Sequence, residues 1–332
     1  MTHVARPTLS IVVPVFNEEA VLETLHRRIV AALQRSRETF ELVLVDDGSR
    51  DGSWEKMRQL AAQDARVTLV RLSRNFGHQI AVTAGIDAAL GEAVVLMDAD
   101  LQDPPEVLLE MIARWREGYD VVYGRRTCRR GETWFKRATA AAFYRMLRRL
   151  TSIDIPADSG DFRLMSRRVV EALKQLRERN RFVRGLVAWV GYRQIAVEYE
   201  RAPRLAGETK YPLRKMVRFA GDAIVSFSFA PLRAATALGL LVSAASFSYA
   251  VYAVLARIFD WNVVQGWASL MVAILFLGGV QLVCLGVIGE YVGRVYDEVK
   301  GRPLYLGELH RPGEAAQQAT PADEGARDRA LG

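Results

Sequence analysis

Cysteine is scarce in this chain of 332 residues, and its first residues lack the apolar run of a secretion signal. The two cysteines, Cys128 and Cys284, lie far apart, which argues against a disulfide framework and against a cysteine-based metal cluster. We therefore expect the soluble part of the chain to face a reducing compartment. Because residues 1–7 are not apolar, no cleaved leader is expected.

Two common nucleotide-binding fingerprints are also absent. No Gly-x-Gly-x-x-Gly follows the first predicted strand and no Gly-x-x-x-x-Gly-Lys-Ser/Thr occurs, so a Rossmann dinucleotide site and a P-loop lose their main support. The net charge of +7 and the isoelectric point near 9.5 still favour an anionic partner. That partner can be a nucleic acid, a phosphorylated substrate or an acidic lipid.

Charged residues are missing from two long stretches near the end of the chain, Ala234–Ala256 and Trp261–Gly289. A helix of about 20 residues crosses the hydrocarbon core of a bilayer, so each stretch is long enough to span a membrane. Buried core helices are the alternative, but core helices of this length usually keep a polar face. The linker Arg257–Asp260 is short, so the two spans are predicted to form a tight hairpin.

Basic residues flank this hairpin on one side. The linker is neutral overall, whereas four cations precede the first span: Arg214, Lys215, Arg218 and Arg233. The positive-inside rule then places both termini in the cytosol, in a multi-pass protein of the inner (plasma) membrane. The predicted plan is a cytosolic domain over residues 1–210, interfacial amphipathic helices over 211–232, two transmembrane helices over 233–290, a cytosolic segment over 291–310 and a disordered tail over 311–332.

Short β-branched runs alternate with helical patterns in the first 125 residues. Strands are predicted at Leu9–Val15, Phe40–Asp46, Val67–Leu72, Val94–Met97 and Asp120–Tyr123, and helices at Glu18–Leu33, Asp51–Ala62, His78–Leu90 and Pro104–Arg116. Buried strands separated by helices predict an α/β domain whose mostly parallel sheet is covered on both faces. Ligands of such sheets bind beyond the carboxyl ends of the strands.

Three polar motifs follow the predicted strands: Pro14–Glu19, Asp46–Ser49 and Asp98–Gln102. In extended chain Asp98 and Asp100 point the same way, and two carboxylates on one side repel unless a cation such as Mg²⁺ or Mn²⁺ joins them. Taken alone, such a triplet is more often a solvated turn, but its place after the strand Val94–Met97, third in a series of strand-end acidic motifs, favours the metal site. Asp46–Ser49 can be a turn with a helix cap, or it can bind base N–H groups and ribose hydroxyls.

The order Pro-x-x-Asn-Glu, Asp-Asp-Gly-Ser, Asp-x-Asp resembles the GT-A nucleotide-sugar-binding domain of glycosyltransferase family 2. Ser73–Gln79 and Asp98–Pro105 are similar to bacterial polyprenyl-phosphate glycosyltransferases, which include bactoprenol glucosyltransferases and dolichol-phosphate mannose synthase-like enzymes. The resemblance covers roughly residues 9–305, the hairpin included. Processive polysaccharide synthases of the same fold are an alternative that resembles the chain up to Asp100, but their Gln-x-x-Arg-Trp motif and additional spans are absent.

The resemblance implies roles for individual residues. It places donor contacts at Pro14, Phe16, Glu18, Val45, Asp46, Asp47, Asp98, Ala99, Asp100, Arg126, Arg204 and Lys210, and metal ligands at Asp98, Asp100 and Gln102. Phe16 stands where relatives often have Tyr. Fixed cations such as Arg204 and Lys210 would stabilise the leaving diphosphate, although they can also be a solvated loop pair. With Asp98, Asp100 and Asp161 they make up the predicted catalytic set.

The acceptor side is predicted from basic and apolar residues together. Between residues 125 and 149 Arg and Lys far outnumber acids and alternate with apolar positions at helical spacing, which is typical of a helix on an anionic membrane. Residues 211–229 offer a second such helix. Asp158–Arg163 resembles a family loop at the acceptor site. Asp161 can be a base or can position the acceptor, and positioning is favoured because a phosphate monoester is already anionic at pH 7. His78 is expected to be structural.

The predicted activity is inverting transfer of a sugar to polyprenyl phosphate, with undecaprenyl phosphate as acceptor and UDP-glucose as donor. Mannose from GDP-mannose or another sugar, such as an aminoarabinose, is an alternative for the same lipid. A catalytically silent membrane scaffold of the same fold is the alternative from another class. The expected partners are a nucleotide sugar, the lipid acceptor and membrane lipids, without nucleic acid. The family resemblance also implies that the chain forms a homo-oligomer, a tetramer.

Overall fold

The computed structural model describes residues 6–126, 159–200, 230–259 and 266–312. These residues belong to two compact units. The first unit contains the chain up to residue 210, apart from residues 142–152, and takes up the chain again from residue 303. The second contains residues 142–152 and 211–302. Arg204, Lys210 and most of both predicted interfacial helices lie outside the described residues.

The first unit is an α/β domain built around one sheet. Its strands are β1 (Leu9–Val15), β2 (Phe40–Asp46), β3 (Val67–Leu72), β4 (Ala93–Leu96), β5 (Val121–Arg126), β6 (Ser159–Ser166), β7 (Gln194–Tyr199) and β8 (Gly307–His310). Its helices are α1 (Glu19–Leu33), α2 (Ser53–Gln63), α3 (His78–Ala88), α4 (Leu108–Arg116), α5 (Arg167–Gln175) and α6 (Val183–Trp189), with a 3₁₀ turn at Pro105–Val107 before α4.

The described strands pair in the order β7-β5-β6-β4-β1-β2-β3-β8. Pairs β1–β2, β1–β4, β2–β3 and β5–β7 are parallel, whereas β6 runs antiparallel to both β4 and β5, and β8 runs antiparallel to β3. The predicted mostly parallel sheet is confirmed. Since β4, β1, β2 and β3 are mutually parallel, their carboxyl ends meet at one edge, where the three sequence motifs follow.

Helices cover both faces of β1, as its continuous apolar run predicts. Ile11 and Val13 belong to the buried cluster that α1 joins through Leu22 and Leu25. Val12 faces the other side, towards α3. A strand buried on both faces has no polar alternation, which is why β1 was recognisable from its sequence.

Strand β6 corrects the prediction of a loop at Asp158–Arg163. Ser159–Ser166 form a central strand, and Phe162 and Leu164 are completely buried. Asp161 and Arg163 are also buried, on a strand whose sequence is interrupted by these two charges. The charges conceal the strand in the sequence, because buried strands are expected to be apolar.

Strand β8 was not predicted at all. Residues 291–310 were expected to be a plain cytosolic segment, but Gly307–His310 pair with Leu72–Leu69 at the edge of the sheet. The Ser73 amide also donates to the Leu306 carbonyl at 2.9 Å. A four-residue edge strand held by backbone hydrogen bonds leaves little apolar signal in a sequence.

The second unit contains two long helices, α7 (Ala230–Ile258) and α8 (Trp267–Val299). Both are long and apolar enough to cross a membrane. Helix α8 begins at Trp267, with Gly266 as its N-cap. It continues past the predicted end of the apolar run, to Val299, and Arg294 Nε donates to Glu290 Oε1 at 3.0 Å within that extension. Large apolar side chains such as Phe247 and Leu282 are exposed, as expected of helices that pack in lipid.

Candidate active site

The loops after β1 and β2 are tied together by hydrogen bonds. The Asn17 amide donates to Ser49 Oγ at 3.1 Å, and the Arg50 amide donates to Asn17 Oδ1 at 2.8 Å. The Glu18 amide donates to Ser53 Oγ at 2.9 Å. Asn17 has a φ of +56°, a left-handed conformation that asparagine adopts more readily than most residues. The first two motifs therefore form one braced surface at the strand ends.

Asp46 and Asp47 at the end of β2 are both buried and hold backbone amides. Asp46 Oδ1 accepts from the Ser49 amide at 3.0 Å. Asp47 accepts from the amides of Phe76 and Gly77 at 2.7 and 3.0 Å. Burial, with a smaller contribution from the charge of Asp46, raises the pKa of Asp47 although these two hydrogen bonds lower it. In this structure Asp47 fixes the loop between β3 and α3.

Other predicted donor contacts differ in how much of the side chain is open. Phe16 is 43% exposed, so it is open to contact with a ligand. Pro14 is half-buried. The side chains of Val45 and Ala99 are buried in the core, which leaves only their backbone atoms for a donor contact.

Asp98 and Asp100 lie in the loop directly after β4. The Gln102 amide donates to Asp100 Oδ1 at 3.1 Å, which closes a tight turn over the carboxylate. Leu101, inside this turn, has a φ of +57° although it is not glycine, and its side chain is buried. Backbone strain of this kind costs on the order of 1 kcal/mol and persists where the surrounding structure imposes it. The turn thus holds Asp100 and Gln102 in a fixed relation to Asp98.

Asp98 is the centre of a concentration of negative charge. Burial raises its pKa to about 6, the charge of His78 opposes that rise, and Asp161, Asp103 and Asp100 add to it. A divalent cation would relieve this repulsion, so the site suits a metal. Among the described residues no three His, Cys, Asp or Glu side chains are placed to hold an ion by themselves. Mg²⁺ characteristically takes one or two carboxylates and completes its shell with substrate phosphates, which agrees with this arrangement.

Asp161 projects from β6 into the same region and is paired with two cationic side chains. Arg184 of α6 donates to its two oxygens at 2.7 and 3.2 Å, and His78 Nε2 lies 3.1 Å from Oδ2. The same His78 nitrogen lies 3.6 Å from Asp98 Oδ1. Burial lowers the pKa of His78, but its hydrogen bond to Asp161 and the charges of Asp98 and Asp161 outweigh burial and raise it. His78 therefore joins the catalytic motif to β6.

The pKa of Asp161 is lowered despite its burial. Burial alone would raise it, but the hydrogen bond with His78 and the charge and hydrogen bonds of Arg184 prevail. A carboxylate so strongly stabilised in its ionised form is a poor proton acceptor. Gln79 supports the arrangement, because its Oε1 accepts from the Val183 amide at 2.9 Å at the start of α6.

Arg126 lies beside a second buried carboxylate. Its Nη2 is 3.6 Å from Asp103 Oδ1, and its Nε donates to Tyr199 Oη at 3.2 Å. The Tyr199 hydroxyl donates to the same oxygen of Asp103. The other oxygen, Asp103 Oδ2, is buried and has no hydrogen-bond partner among the described residues. A Cβ on Gly160 would lie 2.8 Å from Arg126 Nη2, so the guanidinium passes directly over the β6 backbone.

Three residues that sequence reasoning did not assign to the site are therefore part of it. His78 was expected to be structural, yet it contacts both Asp98 and Asp161. Arg184 belongs to no recognised motif, and it joins the site because it lies on α6 and donates to Asp161 of β6. Asp103 follows Asp98 by five residues and was visible in the sequence as a third acid of the same loop.

Known proteins resemble this chain over most of its length. The profile of Glycosyl transferase family 2 matches residues 10–174, and the profile of the GtrB C-terminal hairpin matches residues 230–295. The chain is 54% identical over 297 residues to the uncharacterized glycosyltransferase YkcC of Bacillus subtilis (strain 168), with 90% of this chain and 92% of that protein covered. It is 43% identical over 298 residues to the SfII prophage-derived bactoprenol glucosyl transferase of Shigella flexneri, with 90% and 96% covered.

This chain belongs to glycosyltransferase family 2, and its α/β unit has the GT-A-like fold of that family. The predicted family and enzyme class are confirmed. A crystal structure of glucosyl-3-phosphoglycerate synthase from Mycobacterium tuberculosis with Mn²⁺ and UDP-glucose aligns with 66% of this chain and 77% of that one, at 22% identity and a TM-score of 0.41.

The ion pairs of Asp161 predict a specific loss of stability in acid. Its folded pKa lies below that of an unfolded aspartate, about 3.9, so the carboxylate stabilises the fold above about pH 4. Below that pH the unfolded chain takes up a proton that the folded chain does not, and the contribution is lost. In Asp161→Asn the free energy of unfolding should be smaller at pH 7 and should fall less steeply between about pH 5 and pH 2.

Urea unfolding of the detergent-solubilised protein across this pH range measures both quantities. If the free energy of unfolding fell equally steeply with decreasing pH in Asp161→Asn and in the unaltered chain, Asp161 would not be held as an ion pair in the folded protein.

Proposed function

We propose that this protein transfers glucose from UDP-glucose to undecaprenyl phosphate at the cytosolic face of the membrane, with inversion at the anomeric carbon. The observation that carries the proposal is the 43% identity to a bactoprenol glucosyl transferase over 298 residues. That match spans 90% of the chain and so includes more than the nucleotide-sugar domain. The profile match of the hairpin at residues 230–295 supports a lipid-bound acceptor.

Asp98, Asp100 and Gln102 would hold Mg²⁺ or Mn²⁺ together with the donor diphosphate. When bound, the metal supplies positive charge to the oxygens of the departing UDP. The strained turn at Leu101 and the amide of Gln102 hold Asp100 in place before any ligand arrives. Preorganised ligands are not reoriented during the reaction, which is the main electrostatic advantage of such a site.

The remaining donor contacts divide between the two ends of the nucleotide sugar. The exposed ring of Phe16 suits the flat face of the base. Arg126 lies at the β4 side, near Asp103, and suits the diphosphate. The sequence prediction adds Arg204 and Lys210 as further cations for the leaving group.

Asp161 holds His78 and Arg184 in position and does not accept a proton. Its lowered pKa and its pairing with His78 and Arg184 both support that role. The acceptor phosphate is already anionic at pH 7, so one of its oxygens attacks the anomeric carbon without prior deprotonation. The bond from that carbon to the UDP oxygen breaks as the new bond forms, and the electron pair leaves with UDP.

The acidic turn after β4 predicts the effect of two substitutions. Asp98→Asn and Asp100→Asn should each lower the rate of transfer by roughly 10²-fold or more, because charge on the leaving diphosphate is no longer balanced. EDTA should have the same effect on the unaltered protein. Glu92→Gln is the matched control, since Glu92 is an exposed acid at the opposite end of β4. Turnover close to that of the unaltered protein in either Asp variant would remove the metal from the mechanism.

The direct displacement predicts the products. UDP-glucose and undecaprenyl phosphate should yield free UDP and a β-glucosyl phospholipid, because one displacement inverts the α-linked donor. Nuclear magnetic resonance of the purified lipid determines the anomeric configuration. Retention would contradict a single displacement. Turnover with GDP-mannose and with no UDP-sugar would contradict the donor assignment but not the enzyme class.

The two apolar helices and the basic residues before them predict the membrane topology. In a background with Cys128 and Cys284 replaced by Ser, a cysteine at Ile258 or Phe259 should react with an impermeant thiol reagent added outside the cell. A cysteine at Gly52, in the loop before α2, should react only after the membrane is opened. Other parts of the described protein leave both helix-end side chains exposed, so burial within the protein would not explain a lack of reaction. The reverse pattern would place the active site on the outer face.

A further inference from the structure

A cleft of about 600 Å³ opens beyond the carboxyl ends of β2 and β3. All of its lining residues belong to the first unit. The ones that carry the argument are Asp46, Ser49, Arg71, Arg74 and the segment Leu306–Glu308. Two strand-end loops therefore form one side of the cleft, and a segment that follows α8 in the chain forms the other.

The segment Leu306–Glu308 is held firmly against β3. The Leu306 carbonyl accepts from the Ser73 amide at 2.9 Å, and Gly307 is paired with Leu72 in the antiparallel ladder. A Cβ at Gly307 would lie only 2.6 Å from the Arg71 carbonyl oxygen, so the two backbones approach as closely as glycine permits. The wall of the cleft is consequently a fixed surface.

Tyr305, one residue before the segment, provides a second anchor. Its hydroxyl donates to Asp87 Oδ2 at 3.0 Å, at the end of α3. The same carboxylate accepts from Arg177 at 2.7 and 3.1 Å. The chain therefore enters β8 from a point tied to α3.

The polar groups of the cleft suit a nucleobase. The guanidinium of Arg71 lies over the Trp54 ring at 4.7 Å and that of Arg74 over the Phe76 ring at 3.9 Å, so aromatic faces hold both planar groups in place. Guanidinium groups donate to carbonyl oxygens, and the carboxylate of Glu308 accepts from an N–H. Uracil has two carbonyl oxygens and one ring N–H, which matches this set.

The sheet order places the cleft where the base of a donor molecule would lie if its phosphates were bound at β4. Asp98 and Asp100 follow β4, and the order β4-β1-β2-β3 puts β3 three strand spacings away, about 14 Å. An extended nucleoside diphosphate can bridge this span with its phosphates at β4 and its base near β3. Leu306 is 61% exposed, which gives the cleft an apolar surface beside the base position.

We propose that Leu306–Glu308 form the outer wall of the pocket for the donor base, so that residues beyond the second apolar helix determine which nucleotide is accepted. This inference rests on the proposed function, since it requires a nucleotide-sugar donor. It assigns a role in donor specificity to a segment that contains none of the predicted site residues.

Leu306→Trp tests the proposal. An indole at this exposed position fills the cleft without disturbing a buried contact, so the KM for UDP-glucose should rise roughly tenfold, with kcat and the KM for undecaprenyl phosphate nearly unchanged. The midpoint of thermal unfolding should also be unchanged. Leu309→Trp is the matched control, because Leu309 is also an exposed leucine, one residue beyond the segment in β8, but does not line the cleft. Its donor KM should equal that of the unaltered protein.

A second variant tests selectivity. Leu306→Ala enlarges the cleft, so the ratio of kcat/KM for GDP-glucose to that for UDP-glucose should increase. Binding of UDP to the full-length protein in detergent, measured by calorimetry, should be weakened by Leu306→Trp and unaffected by Leu309→Trp.

An unaltered donor KM in Leu306→Trp, or an equal rise in both tryptophan variants, would overturn the inference. If the unaltered chain uses no UDP-sugar, the proposed function fails separately. The same variants are then assayed with the nucleotide sugar that the chain does use. If Leu306→Trp and the unaltered chain had equal KM values for that donor, the inference would be overturned.

Discussion

Four buried or half-buried carboxylates share one edge of the sheet, and the fold must balance their charge. Asp161 is balanced by Arg184 and His78, and Asp103 by Tyr199 and Arg126. Among the described residues, the cation recorded beside Asp98 is the His78 nitrogen at 3.6 Å, which it shares with Asp161. Asp98 is therefore less compensated than Asp161 and Asp103, and its pKa is raised to about 6, first by burial. The uneven distribution of cations defines where a further positive charge would be most strongly attracted.

The antiparallel strand β6 makes this distribution possible. Strand β6 lies between β4 and β5 and runs antiparallel to both. Asp161, near the start of β6, therefore lies beside the carboxyl end of β4. The buried Arg163 donates to the carbonyls of Gly160 and Asp161 at 2.8 and 3.3 Å, and burial lowers its pKa to about 10. A strand that carries two buried charges is stabilised by such local hydrogen bonds and by the complete burial of Phe162.

The first half of the domain could be predicted from sequence because its signals are local. Strands β1, β2 and β3 have the predicted bounds, since each is a short apolar run ended by a polar motif. The role of His78 could not be predicted, because its partner Asp161 lies 83 positions further along the chain. Arg184 escaped notice for the same reason, as nothing in one sequence indicates which of many arginines meets a given acid. The extension of α8 to Val299 was missed because the apolar run ends at the first charged residue, whereas the helix continues beyond it.

The return of the chain to the sheet at β8 changes what the apolar hairpin is. Because Gly307–His310 complete the edge at β3, the pair of helices is an insertion within the α/β unit and not an appendage attached after it. A protein cut after Arg302 would lose that strand and expose the backbone groups of β3, a common origin of aggregation. A soluble form of the catalytic unit would therefore have to bridge the insertion with a linker and retain the chain from residue 303.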